Sequence, residues 1–241
     1  MTITAKFNSI KYILTTIFIV FIAAEIQTVY AQDVGLGADL VNRYVWRGID
    51  FGNSASIQPH IEFTTGGFTL GTWASYAISP VENNLTSSIG ATEHDIYVGY
   101  SFGAVSIGVT DYYFPTGSKF FNFENDGGGS HFIEPNISIT GGESFPLTFY
   151  GAFNAYNDPD NSIYLEASIP YTVGETELGF TIGVVPQESA YYGTSSVGII
   201  NINLSAARDL PISEIFSLPL FATYILNPYA EQSYLLFGFS L

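Results

Sequence analysis

Arg43 and Arg47 lie four residues apart, so in an extended segment both guanidiniums share one face with Asp39. The next extended segment turns Gln58, His60 and Glu62 the same way. This predicts a cross-strand ladder of ion pairs, Arg43 and Arg47 against Asp39 and Glu62. Period-two parity assigns the same face to Glu93, Asp95, Glu134, Glu166 and Glu177, so seven carboxylates face two guanidiniums. Carboxylates ringing a pore select cations. In a filled interior the same charges only neutralise one another, and the residues leave both readings open.

Nucleophilic catalysis needs a Ser held against a His that a third polar group orients. The three histidines are His60, His94 and His131. Parity puts His94 and His131 near an outer rim, a place suited to a lipid-modifying enzyme. Each, however, is followed by Asp95 or Phe132 and then Ile96 or Ile133, with no Ser two residues on along the same face. Lone histidines near strand ends read as loop or interface residues, and the chain reads as a non-enzyme. The loop Glu124–Ser130 and the turn Asn157–Asn161 carry carboxylates and carbonyls of the kind that coordinate Ca²⁺. Neither has the spacing of a dedicated calcium loop, so solvated turns are expected and no metal or other cofactor is assigned. Gly35-Leu36-Gly37 and Gly127–Gly129 open no helix, which removes a nucleotide-binding reading.

The elements that would position these residues are strands. After Gln32, segments of about ten residues alternate apolar with small or polar side chains, and turn-forming residues separate them. Twelve are expected, over 35–49, 54–65, 67–78, 92–102, 104–115, 131–141, 145–156, 162–173, 176–186, 192–206, 215–226 and 233–241. In 92–102, Ile96, Val98, Tyr100 and Phe102 oppose Glu93, Asp95, Gly99 and Ser101. In 162–173, Ile163, Leu165, Ala167, Ile169 and Val173 oppose Tyr164, Glu166, Ser168 and Thr172. A soluble sandwich would carry Lys and Glu on its polar face. Here that face is Gly, Ser, Thr, Asn and isolated acids, which suits a curved, water-bearing lumen.

Connection lengths and aromatic positions point the same way. Short turns such as Thr65-Gly66-Gly67, Gly103 and Gly174-Glu175 alternate with longer polar loops, Ala207–Glu214 being the exception. Outer-membrane barrels alternate short inner turns with long external loops. Tyr44, Trp46, Tyr76, Tyr113 and Tyr224 fall near the outer strand ends. Phe63, Phe68, Tyr100, Phe102, Phe145, Phe237 and Phe239 fall near the inner ends, as two interfacial girdles would. The fold class expected is all-β: a closed, antiparallel, up-and-down transmembrane barrel of about twelve strands.

Residues 1–31 form the expected leader. Lys6 and Lys11 precede an apolar run, Tyr12 to Ala24, and Val29-Tyr30-Ala31 offers small residues before Gln32, the layout of a cleaved signal peptide. The run has 13 residues, short of the roughly 20 that a spanning helix requires. Residues 32–241 then form one barrel domain, destined for the bacterial outer membrane. They contain no Cys, and four basic residues (Arg43, Arg47, Lys119, Arg208) stand against 21 acidic ones, a balance of −17. Phosphate recognition needs clustered Lys and Arg, so nucleic acid is not an expected partner. Outer-membrane lipid is. The last segment, Tyr234 to Leu241, resembles the C-terminal signal read by the barrel-assembly machinery, with Leu in place of the usual Phe, and is expected to close the ring against the first strand.

The run Ala38-Asp-Leu-Val-Asn-Arg-Tyr-Val-Trp-Arg-Gly48, with Ser56-Ile-Gln-Pro59, resembles the opening of the TorF-like family of porins. Gly67–Trp73, Glu93–Tyr97, Gly108–Pro115, Phe216–Leu220 and Asn227-Pro228 are similar too. The resemblance spans almost all of residues 32–241. It implies an outer-membrane barrel of the porin kind and brings no catalytic residues; with the inward acids, passage of small polar or cationic solutes is the expected function. A barrel with a closed lumen, structural or recognising partners through its external loops, is the alternative.

Overall fold

The computed structural model describes residues 32–52, 54–79, 92–115 and 119–241. The expected signal peptide, 1–31, lies outside the described residues.

Fourteen strands follow in order: β1 (Gln32–Val41), β2 (Tyr44–Trp46), β3 (Ile49–Gly52), β4 (Ser56–Thr65), β5 (Phe68–Ala77), β6 (Thr92–Phe102), β7 (Val105–Tyr113), β8 (His131–Thr140), β9 (Thr148–Phe153), β10 (Ile163–Val173), β11 (Thr176–Val185), β12 (Gly198–Ser213), β13 (Phe216–Asn227) and β14 (Gln232–Ser240). Twelve of them make a closed barrel in which each strand from β4 to β14 is hydrogen-bonded to its neighbour in sequence, and β1 pairs with β14. The last strand does meet the first: Asp39 lies opposite Ser240 and Val41 opposite Gly238. Closure leaves no unpaired edge, as a strand structure in hydrocarbon requires.

The expected parity holds around the wall. Ile96, Val98 and Phe102 on β6, Leu165 on β10, Phe180 on β11, Leu204 on β12 and Leu235 and Phe237 on β14 all turn outward and are exposed. Their strand neighbours Glu93, Asp95, Tyr164, Gly183, Asn201 and Tyr234 turn inward and are buried. A large exposed apolar band is rare on soluble monomers; here it encircles the protein.

Connections alternate as expected, and more regularly than the sequence suggested. β12 runs on to Ser213 and pairs with Phe216, so the expected inner loop Ala207–Glu214 is mostly strand and the apparent exception disappears. The tight turn at Gly174-Glu175 places Gly174 at φ 61°, a left-handed conformation that glycine adopts without steric cost.

The tenth expected segment, 192–206, starts late, since β12 begins at Gly198, but the first segment departs most. The first segment does not continue to residue 49: β1 stops at Val41, and the chain leaves the wall. Tyr44–Trp46 and Ile49–Gly52 pair with each other as a separate two-stranded sheet, with Trp46 opposite Ile49. The connecting pair, Arg47-Gly48, has φ of 49° and 78°, the signature of a type I′ turn, whose twist matches that of a hairpin. Gly48 is required for a second reason. A Cβ there would sit 1.9 Å from the Ile200 carbonyl oxygen on β12.

Candidate functional site

The hairpin lies inside the barrel. Its side chains touch inward residues of strands spread around the ring: Tyr44 on β2 meets Glu93 of β6, and Arg47 meets Glu134 of β8, Tyr150 of β9 and Tyr192 of the β11–β12 connection. Only an object within the lumen reaches all of these. The contacts fall where β6, β8 and β10 begin and where β7 and β9 end, at the end bearing the longer connections.

Arg47 and Glu134 form the centre of the site. Glu134 accepts from both terminal nitrogens of Arg47, at 2.6 and 2.9 Å. It also accepts from the Tyr112 hydroxyl at 3.0 Å and the Tyr150 hydroxyl at 3.1 Å. The side chains are 8% and 1% exposed. The guanidinium also lies 4.2 Å from the Trp46 ring centroid and 4.3 Å from that of Tyr164. Charge, planar fork and aromatic faces suit an arginine here and no other residue. Burial pushes the Tyr192 phenol up, with Arg47 pulling against it.

Aromatic packing fills the space around this pair. Tyr164, Val185, Tyr192 and Ile200 form a buried cluster, with Trp46, Ile49, Tyr150, Tyr191 and Tyr229 packed on it. Asn227 Nδ2 donates to the Gly48 carbonyl at 3.1 Å, which pins the hairpin tip. At the hairpin base, Arg43 reaches Asp50 at 3.6 Å and lies over Tyr234. Burial pushes the Asp50 carboxyl up, while the Gly52 amide and Arg43 pull it down.

The predicted ladder of Arg43 and Arg47 against Asp39 and Glu62 is therefore not formed. Asp39 instead accepts from the Ser240 hydroxyl at 2.6 Å, and Glu62 from the Tyr97 hydroxyl at 3.0 Å. Same-face parity suggested partners on adjacent strands, but the segment carrying both arginines leaves the wall. Glu166 accepts from Tyr164 at 2.6 Å, and Glu177 stands exposed at the opposite end of the lumen on β11. Glu93 and Asp95 are buried, Glu93 accepting from Tyr44 at 2.8 Å. Tyr44 and Trp46, expected in the outer girdle, are internal. Tyr76 and Tyr224 are exposed on the outward face. Missed as site residues were Tyr112, Tyr150 and Tyr164, large rings on the inward parity that announce a filled interior, and Tyr192 in the β11–β12 connection.

Below the hairpin the lumen is polar. A cavity of about 210 Å³ is lined there by residues including Thr69, Tyr97, Ser101, Ser106, Thr110 and Asn136. The other histidine-bearing region faces outward. His131 places one ring nitrogen 3.0 Å from Asp111 and the other 2.6 Å from the Phe120 carbonyl, so both are committed and neither is left to activate a hydroxyl. In the external loops, Asn157 Oδ1 accepts from the Gly127 and Gly129 amides. Asp158 accepts from the amides of Asp160 and Ser162 and from Asn154. The Asn157 and Asp158 side-chain oxygens are thus engaged by the loops' own amides.

The arrangement defines a class: a twelve-stranded up-and-down barrel with an apolar outer face and an internal hairpin latched by buried charge. The chain belongs to the family described as "Bacterial protein of unknown function (Gcw_chp)", whose profile matches residues 27–213. No curated protein is significantly similar to it. Among solved structures it is similar to KdgM porin, at 9% identity and a TM-score of 0.49, over 87% of this chain and 98% of that one.

Proposed function

We propose that the protein is a bacterial outer-membrane channel for small polar or cationic solutes, closed at rest by the hairpin of residues 44–52. The outward face would meet outer-membrane lipid, with β14 as the segment offered to the barrel-assembly machinery. Resemblance of Ala38–Gly48 to the opening of TorF-like porins supports the same reading. So does the polar lower lumen, where Glu62, Glu166 and Glu177 supply negative charge with no arginine beside them among the described residues.

One observation carries the proposal. Residues 44–52 pair their backbone with each other, and wall side chains hold them: Glu93 holds Tyr44, Glu134 holds Arg47 and Asn227 holds the Gly48 carbonyl. The hairpin can therefore leave the lumen without breaking the ladder that holds the barrel closed. A plug that was a thirteenth wall strand could not.

The same packing favours a second reading, a permanently closed barrel acting through its external loops. Replacing residues 43–52 with a short Gly-Ser linker separates the two. A gated channel then shows cation-selective conductance in planar bilayers that the intact chain shows rarely. If the linker variant folds, judged by heat-modifiable electrophoretic mobility, and stays silent, the closed barrel is the correct reading.

A further inference from the structure

The structure assigns a second role to the lumen wall beside the hairpin: we propose that Ser75, Glu93 and Asp95 bind a hard cation of the Ca²⁺ class. Glu93 and Asp95 are two apart on β6 and share its inward face. They are 3% and 7% exposed. Ser75 on β5 lies directly opposite Glu93 in the ladder. Directly paired side chains start about 5 Å apart, so the Ser75 hydroxyl lies beside the Glu93 side chain on the inward face.

The hydrogen bonding is incomplete in a telling way. Ser75 is fully buried, yet among the described residues its Oγ has no partner, and neither does Asp95 Oδ1. Leaving such atoms unmet is costly. Two buried carboxylates side by side cannot both carry charge without a compensating positive one. Among the described residues none is supplied: Arg43 is engaged with Asp50, Arg47 with Glu134 and Arg208 with Glu175. Lys119 lies in the external β7–β8 loop. Two carboxylates and a hydroxyl are oxygen donors of the type hard cations take, with water completing the shell. Tyr44 donates to Glu93 Oε2, so the latch and the site share that carboxyl. A cation here would thus sit against the hairpin's second latch.

This inference rests on the channel reading for how an ion arrives, but the binding can be tested without any current. Tb³⁺ is a luminescent stand-in for Ca²⁺, excited through nearby aromatic rings. Trp73 lies opposite Asp95, and its ring centroid is 5.4 Å from that of Tyr44. Titrating Tb³⁺ into the full chain refolded in detergent should give saturable sensitised emission, reversed by excess Ca²⁺. Glu93→Gln with Asp95→Asn should abolish it, and Ser75→Ala should weaken binding about tenfold. Arg208→Ala, in an exposed pair with Glu175 away from the site, should retain it. If the double variant fails to fold, Ser75→Ala alone decides. Emission that is absent, or unchanged in these variants, overturns the site and leaves the carboxyls sharing a proton. Emission in a barrel that never conducts keeps the site and discards the channel.

Discussion

Arg47→Ala tests the latch most sharply. The substitution leaves Glu134, 1% exposed, facing Tyr112 and Tyr150 with no cation. Breaking a buried ion pair from one side costs about 3–5 kcal/mol, because the surviving charge is stranded. Since about 1.4 kcal/mol is a factor of ten, the balance between seated and released hairpin should move by roughly two to three and a half orders of magnitude. The barrel wall, whose ladder Arg47 does not join, should persist. Single-channel recording then shows open events rising steeply over the intact chain. Arg47→Met with Glu134→Met removes both charges and leaves a packable apolar pair, so it should cost far less than the sum of the single changes. The reasoning is refuted if Arg47→Ala folds, with unchanged heat-modifiable mobility, and conducts like the parent. It is equally refuted if the double variant is as open as the single ones together imply.

Gly48→Ala should also unseat the hairpin, since left-handed φ costs a non-glycine residue about 1–2 kcal/mol and the new Cβ would press on the Ile200 carbonyl. Faster proteolytic nicking within 44–52, with the rest of the barrel resistant, is the readout. Glu166→Gln in the linker variant should reduce cation selectivity; an unchanged reversal potential would count against an acid-lined path.

The wall was legible because each strand states its own parity. Ile96, Val98 and Phe102 against Glu93 and Asp95 need no distant information, since period-two alternation follows from the backbone alone. The lumen's contents were not legible in that way. Residues 42–49 continue the alternation of β1, and only the two positive φ angles at Arg47-Gly48 reveal a hairpin. Arginine is an unusual first turn residue, where Asn or Asp is the familiar signal. Tyr44 and Trp46 sit near a strand end, where girdle aromatics also sit, so position could not separate the two roles. The partner of Arg47 is 87 residues away in sequence, chosen by how the barrel closes. Arg208-Asp209 and Pro211 suggested a loop, yet β12 continues through them, Arg208 lying opposite Leu220 and Asp209 opposite Pro219 on β13.

The claim beneath all of this is that odd-numbered residues of β10 look out at hydrocarbon while even-numbered ones look into the lumen. The chain has no cysteine, so single-cysteine spin labels can be placed at each position from Ile163 to Val173 in the reconstituted protein. Power-saturation EPR should find residues 163, 165, 167, 169 and 171 accessible to oxygen, with 164, 166, 168 and 170 shielded from it. Oxygen accessibility lacking that two-residue period, or a refolded chain that remains a compact monomer without detergent, would contradict the account.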